Sequence, residues 1–290
     1  MSAVRRSRGA ALLLVLWLVV LLTALVGGFA LVARVEHLQG RVLVHGLTAQ
    51  NAARAGLEYA MTRLAATEPE RQWAPDGRPY PWRYTGVDIE VRIVDESGKL
   101  DLNQSDAAVL GGLLVALGSD QAEAARLAAA IIDWRDPDPL TQAAGGAEDA
   151  DYASAGRPYG AKDAQFEGIA ELEQVLGFTP ALYALVAPHV TVHSGLPRPQ
   201  PEFAAAPVLE AIGLDGAAMV QQRGAPLGGP AGPALPTVGA NRSGTYSIES
   251  LARLADGRES LLRAVVRAGG GAVPGMAYTV LDWEEGASPR

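Results

Sequence analysis

The sequence predicts an α+β protein: a long N-terminal helix, transmembrane and then amphipathic, a small antiparallel sheet, and a large all-α segment inserted between strands of that sheet. Three observations carry this prediction. Residues 10–33 are 24 consecutive uncharged positions, which as a helix would extend about 36 Å and cross a hydrocarbon core of about 30 Å. Beyond them, apolar or small residues recur at spacings of three and four. Strand-like alternation then occurs in two places far apart in the chain, with helical patterns between them.

The 290 residues amount to about two domains. Hydrophobic residues make up 49% against 19% charged, an excess that argues against a disordered tail and points to a segment outside water. With 24 Lys and Arg against 32 Asp and Glu, the net charge is −8, so phosphate backbones are repelled on average. The absence of Cys excludes disulfides, thiolate nucleophiles, Cys-ligated zinc and iron–sulfur clusters.

Arg5, Arg6 and Arg8 precede the apolar run. By the positive-inside rule they hold the N-terminus in the cytoplasm and send everything after Arg34 across the membrane. The run reads as a plain signal anchor, a cleaved secretory signal, or a retained helix behind a short basic leader. A secretory signal has a shorter apolar region, about 7 to 15 residues. Arg8-Gly9-Ala10 followed by Ala11-Leu12-Leu13-Leu14 has the third form, with the cut between Gly9 and Ala10. After the run, Val35, Leu38, Val42, Gly46, Ala49, Ala53, Leu57, Ala60 and Leu64 share one helical face. Joined to the span they predict one helix over 10–66, about 85 Å long. The stripe is expected to meet neighbouring helices, its small residues allowing close approach. A coiled-coil stalk behind a signal anchor shows the same pattern.

Residues 67–81, rich in Pro, Glu and Arg, end the helix at Pro69, Pro75 and Pro79. The first strand follows, with Val87, Ile89, Val91 and Ile93 alternating with Asp88, Glu90 and Arg92. Three more strands are expected at 244–254, 261–268 and 277–284. Between them, helices are expected at 106–117, 121–134, 169–176, 180–186 and 207–212. The Pro- and Gly-rich stretches 196–207 and 223–236 read as surface loops.

Six carboxylates, Asp133, Asp136, Asp138, Glu148, Asp149 and Asp151, lie close together with Arg135 as the only base among them. Such density repels unless something offsets it. Calcium takes six to eight oxygen ligands, and Gly145-Gly146 lets a loop wrap an ion. The spacing is not that of an EF-hand, and a solvated acidic loop is the alternative. No spacing rule selects ligands among the six.

The chain lacks G-x-S-x-G, a phosphate-binding loop and H-E-x-x-H, which argues against an enzyme. His189 and His193 flank Val190-Thr191-Val192, which reads as a strand, so they are taken as packing or surface residues rather than metal ligands. A rival class is a membrane-anchored, extracytoplasmic helix-hairpin-helix DNA-binding protein of a DNA-uptake system. Leu100-Asp101-Leu102-Asn103 and Val175-Leu176-Gly177-Phe178 look like such hairpins, but Asp120, Glu123, Glu171 and Glu173 surround them where basic residues are needed.

The leader at Gly9, Gly98-Lys99-Leu100-Asp101-Leu102-Asn103, Asp133-Trp134-Arg135-Asp136 and Gly146-Ala147-Glu148-Asp149-Ala150-Asp151-Tyr152 occur in that order. Pro158-Tyr159, Glu171-Leu172, Tyr246-Ser247-Ile248 and Leu281-Asp282-Trp283 follow. With these motifs and gaps the chain resembles the type II secretion minor pseudopilin K family (general secretion pathway protein K) over nearly its full length. The resemblance implies a pilin-like long N-terminal helix, a small antiparallel sheet and a large inserted all-α domain of sterile-α-motif-like character. It implies a prepilin leader at 1–9 removed by prepilin peptidase, a transmembrane helix at 10–33 and a stalk at 34–67. A pseudopilin αβ domain at 68–98 and 240–290, an inserted helical domain at 99–220 and a Gly/Pro-rich loop at 221–239 complete the expected organisation. The implied place is the bacterial inner membrane, single pass, with the C-terminal domain periplasmic. The implied role is non-enzymatic and involves no nucleic acid: the tip of the periplasmic pseudopilus, built with I-, J- and H-type minor pseudopilins on a fibre of the major pseudopilin. There it would help initiate assembly for export of folded proteins across the outer membrane. The resemblance also implies structural calcium in the acidic loops. Leu14, at position five after the expected cut, stands where repeating subunits carry Glu, as is typical of the K type.

Overall fold

The computed structural model describes residues 8–68, 70–224, 242–269 and 277–286; most of the expected leader and most of the expected loop 221–239 lie outside them. Helix α1, Arg8–Leu64, is a single helix of 57 residues. Its Leu12–Arg34 portion is apolar, long enough to cross a membrane and, among the described residues, not covered by any other part of the chain. Its last turns behave differently. Ala49, Ala52, Ala53, Leu57, Ala60, Met61 and Leu64 are buried, and all but the first belong to a core shared with the sheet.

The strands are β1 (Asp76–Tyr84), β2 (Val87–Asp95), β3 (Leu100–Asp101), β4 (Val190–Thr191), β5 (Thr245–Arg253), β6 (Glu259–Ala268) and β7 (Tyr278–Gly286). Five of them form an antiparallel sheet in the order β1-β2-β5-β6-β7, and β3 pairs with β4 in parallel. Alternation builds β2, where Val87, Ile89, Val91 and Ile93 are buried against α1 and the residues between them face out.

Two expectations are corrected here. The segment around Pro79 and Pro81 is strand β1, not only a helix-ending stretch. Proline cannot donate to a ladder and is tolerated at an edge, and β1 is the edge strand, with Pro79 opposite Arg92 and Pro81 opposite Glu90. It turns into β2 through Thr85 (φ 48°) and Gly86 (φ 84°), the two positive φ values that a tight hairpin requires. The second correction concerns the stripe. From Ala49 onward it faces this chain's own sheet, so Ala53, 1% exposed, is no partner surface. Gly56 shows how close the approach is: a Cβ there would lie 2.1 Å from Ser250 Oγ.

Between β2 and β5 lies the helical insertion: α2 (Ala107–Ala116), α3 (Gln121–Arg135), α4 (Asp149–Ser154), α5 (Pro180–Val186), α6 (Ala206–Ala211) and α7 (Gly216–Gly224). Asp106, Asp120 and Thr179 accept from backbone N–H groups of the first turns of α2, α3 and α5, which satisfies donors otherwise orphaned there. These helices enclose a second core that includes Leu100, Leu102, Leu110, Leu113, Ile131, Tyr152, Leu172 and Leu209. The helix expected over 169–176 is only a 3-10 turn, Ile169–Glu173. The Glu171 carboxylate accepts from Glu167 N and Gly168 N, and Gly177 (φ 93°) turns the chain soon after. Helix α7 was not expected, and it takes up 221–224 of the expected loop.

The two cores meet at residues 95–103, where Asp95, Glu96, Ser97 and Asp101 are all buried. Asp95 accepts from Ser97 and from Ser243. Glu96 pairs with Lys99 at 2.7 Å and also accepts from Ser247 Oγ. Asp101 accepts from Asn103 N, Gly195 N and Ser194 Oγ. Gly98 has no room to spare, since a Cβ there would lie 2.6 Å from the Phe203 backbone. Gly98→Ala should therefore destabilise the chain by about 1–3 kcal/mol, lowering the denaturant midpoint of the detergent-solubilised protein. Gly168→Ala, whose Cβ would meet open space, should leave the midpoint in place.

Candidate metal centre

Asp133 lies in the last turn of α3, Asp136 is its C-cap, and Glu148 is the N-cap of α4. Carboxylates at a helix C-terminus oppose the helix dipole, so α3 ends in a place where negative charge is doubly unwelcome. One oxygen from each of the three residues lies within 4.8 Å of the others. Asp133 is fully buried and Glu148 is 8% exposed.

Few donors reach them. Gln142 N approaches the Asp133 carboxylate at 3.3 Å and 3.4 Å, and Gln142 Nε2 lies 3.5 Å from Asp136 Oδ2. Asp136 Oδ1 and Glu148 Oε1 are buried and accept no hydrogen bond. The electrostatic result is consistent. Burial, followed by the charges of Asp133, Asp136, Asp163 and Asp138, pushes Glu148 up to about 7. Burial is likewise the first cause that raises Asp133 and Asp136. Arg135 does not close the gap with a salt bridge. Its guanidinium donates to the carbonyl oxygens of Leu102 and Ser105, and burial lowers its pKa.

The loop between α3 and α4 closes on this group through its glycines. Gly145 turns at φ 88°, and a Cβ on Gly146 would fall 1.9 Å from Asp133 Oδ2. Three buried or half-buried carboxylates converging with two oxygens unpartnered could hold a hard divalent cation, with further oxygens coming from carbonyls or water.

Of the six candidates, the structure brings together Asp133, Asp136 and Glu148. The others engage backbone N–H groups: Asp138 accepts from Leu140, Asp149 from Ala161, and Asp151 from Glu148 as half of a capping box. Asp163, in a left-handed conformation (φ 54°), contributes to the field on Glu148 and Asp136 and was not among the candidates. Among the described residues this trio is the only acidic or histidine group close enough to hold a metal. His189 sits in a 3-10 turn outside it, its pKa lowered by burial and by Lys99.

Behind the trio the scaffold is tied tightly. Asn103 donates to Phe166 O at 2.9 Å and accepts from Phe166 N at 2.8 Å. Glu171 holds Lys162 at 2.8 Å and accepts from Trp134 Nε1 at 3.3 Å. Trp134 packs on Tyr152, ring centroids 5.8 Å apart.

Residues 91–195, which contain the junction and the trio, match the family described as Type II secretion system (T2SS), protein K. That segment, a little over a third of the chain, is similar to the protein K family. Type II secretion system protein K of Klebsiella pneumoniae is 29% identical over 212 residues, 64% of this chain and 62% of that protein. Its counterpart from Pectobacterium carotovorum subsp. carotovorum is 29% identical over 206 residues, again 64% and 62%. The match thus spans less than two thirds of either relative. The fold is similar to that of a chain in the crystal structure of the GspK-GspI-GspJ complex from the enterotoxigenic Escherichia coli Type 2 Secretion System, with a TM-score of 0.54 and 18% identity. It covers 88% of this chain and 99% of that one.

Within the matched segment, Asn103→Ala should destabilise by about 1–3 kcal/mol, because it removes the side-chain partner of both Phe166 backbone groups. Asn103→Asp, which can accept from Phe166 N but cannot donate to Phe166 O, should recover part of the loss. Chemical denaturation with chelator present measures both.

Proposed function

We propose that this chain is a K-type minor pseudopilin of a type II secretion system. In this reading it stands at the tip of the periplasmic pseudopilus with I-, J- and H-type minor pseudopilins, above a fibre of the major pseudopilin. It helps initiate assembly of that fibre for export of folded proteins across the outer membrane. The observation that carries the reading is α1 in a chain with a segment similar to protein K: one helix, bare and apolar over Leu12–Arg34, then bound to a small antiparallel sheet. The sheet and the helical insertion form a head too large to repeat at the tight axial spacing of a fibre, which favours a terminal position. The insertion is read as sterile-α-motif-like. The bare segment is read as a single pass through the inner membrane with the head in the periplasm, following the charge of Arg5, Arg6 and Arg8. Prepilin peptidase is the expected processing enzyme, cutting between Gly9 and Ala10.

Co-expression with the I- and J-type subunits tests the role. A heteromeric complex in which this chain is far scarcer than the major pseudopilin is expected, and long fibres of this chain alone would overturn the reading. N-terminal sequencing of the membrane-extracted protein should begin at Ala10.

Calcium is the cation proposed for Asp133, Asp136 and Glu148. Two unpartnered buried oxygens and a glycine cradle suit a large, oxygen-seeking ion with flexible geometry. A ligand that binds only the folded state stabilises it by about 2.7 kcal/mol at a hundredfold excess over Kd. Millimolar calcium should therefore raise the melting temperature, and chelator should reverse the rise. Asp136→Asn with Glu148→Gln should abolish the shift. An undiminished shift in that double variant would move the ion to another site.

A further inference from the structure

The helical insertion is pinned to the sheet along a narrow seam. Strand β3 pairs with β4 in parallel, Leu100 opposite Val190 and Asp101 opposite Thr191. Lys99 and His189, the residues before Leu100 and Val190, are therefore neighbours at the start of that ladder. Lys99 belongs to the junction. Its Nζ lies 2.7 Å from Glu96 Oε1 and 2.7 Å from Ser247 Oγ on β5, so the ammonium is fixed between the buried junction and the sheet. His189 belongs to the insertion, in the turn Ala187–His189 that links α5 to β4. Across the same seam Leu102 N donates to Thr191 O at 2.8 Å and Gln200 N donates to Ser97 O at 2.7 Å.

His189 stands where an imidazolium is costly. Its Nδ1 is buried and has no hydrogen-bond partner, which suits a neutral ring with its proton on Nε2 and Nδ1 bare. Protonation would put a hydrogen on Nδ1 with no acceptor to receive it, and would set a second positive charge beside Lys99. Glu96, the carboxylate behind Lys99, is already committed to that ammonium and to Ser247 Oγ. Glu173, Asp282 and Glu284 act on Tyr183 of α5 and not on His189; among the described residues, Lys99 is the charge that does.

We propose that His189 is an acid-sensitive latch between the helical insertion and the sheet. Neutral, its ring lies beside Lys99 and completes the seam. Protonated, it drives the turn away from Lys99 and opens the β3–β4 pairing, while the cores on either side keep their own packing. Burial, then the charge of Lys99, lowers the pKa of His189, so the closed seam binds this proton less readily than an opened one, in which the ring titrates at its ordinary value of about 6.5. The latch is then fully effective above about 6.5 and weakens as the pH drops through that value toward the lower midpoint of the closed seam.

Amide exchange of the full, detergent-solubilised chain at about pH 7.5 and about pH 5.5, corrected for the intrinsic effect of pH on exchange, tests the latch. Peptides covering 95–103 and 187–200 are expected to open at least about threefold more at the lower pH, with the interior of β5 unchanged. His189→Gln, which keeps a polar side chain but cannot take up the charge, should remove that rise. The acidic trio is the same in both chains and drops out of the comparison. Deuterium uptake at the imidazole C2 position of the unaltered chain, read by mass spectrometry, gives the midpoint of His189 itself even where the variant does not fold. A midpoint below about 6.5 is expected. A midpoint at or above that value, the same rise in opening with His189→Gln, or no rise in the unaltered chain would overturn the proposal. Loss of protection spread equally over β5 and the helical core would overturn it too, because acid would then unfold the whole chain rather than release the seam.

Discussion

Everything in this protein depends on three buried carboxylates where the chain passes from the sheet to the helical insertion. Asp95, Glu96 and Asp101 are within 1% of complete burial, and a buried charge is tolerated only when it is paired and hydrogen-bonded. Their partners come from distant stretches that return to the same point: Ser194 and Gly195 for Asp101, Ser243 for Asp95, Ser247 for Glu96, with Lys99 completing the set. The insertion can therefore begin and end in only one place. Leu100 and Leu102, alternating with these polar residues, reach into the helical core. Asn103 then fixes the Phe166 segment, and Arg135 fixes the end of α3. The acidic trio is thus held by the same short stretch that holds the sheet.

This arrangement explains why the trio keeps its charge problem. Arg135 is the obvious counter-ion by sequence, but its guanidinium is committed to two carbonyl groups of the junction turn. Asp133 and Asp136 are left at the unfavourable end of α3, facing Glu148 across a loop that Gly146 lets close. Such an arrangement raises the cost of charging any one of the three, which is the property on which the calcium proposal rests.

Much of the fold was legible in the sequence because it is written in periods. The unbroken apolar run and the three-four spacing gave α1. Alternation gave β2, and the helix starts expected at 106, 121 and 180 fall within a residue of those of α2, α3 and α5. Strand β1 was hidden because its two prolines erase alternation, and an edge position is a property of the whole sheet. The direction of the α1 stripe was misread for a related reason: an apolar face says that it will be covered, not by what. Among the six acidic residues, composition marked the region, but the choice of three depends on a contact across the loop between Asp136 and Glu148. The backbone groups that occupy Asp138, Asp149 and Asp151 leave no mark in local sequence. Nor does Asp163, which approaches from a separate segment.

The split sheet also bears on the order in which the chain can fold. Strand β2 must wait for β5, since Asp95 pairs with Tyr246 across the whole helical insertion. Left as a flexible loop, that stretch would make closure slow, because non-local pairing is rewarded only after the loop entropy has been overcome. A helical insertion that folds early, on contacts local to itself, shortens the effective loop and delivers Ser194 and Gly195 beside Asp101. The β1–β2 hairpin and the end of α1 would meanwhile wait as a half-built surface with one unsatisfied edge. With its two ends held together at Asp101, the insertion shortens the loop that the β2–β5 pairing has to close.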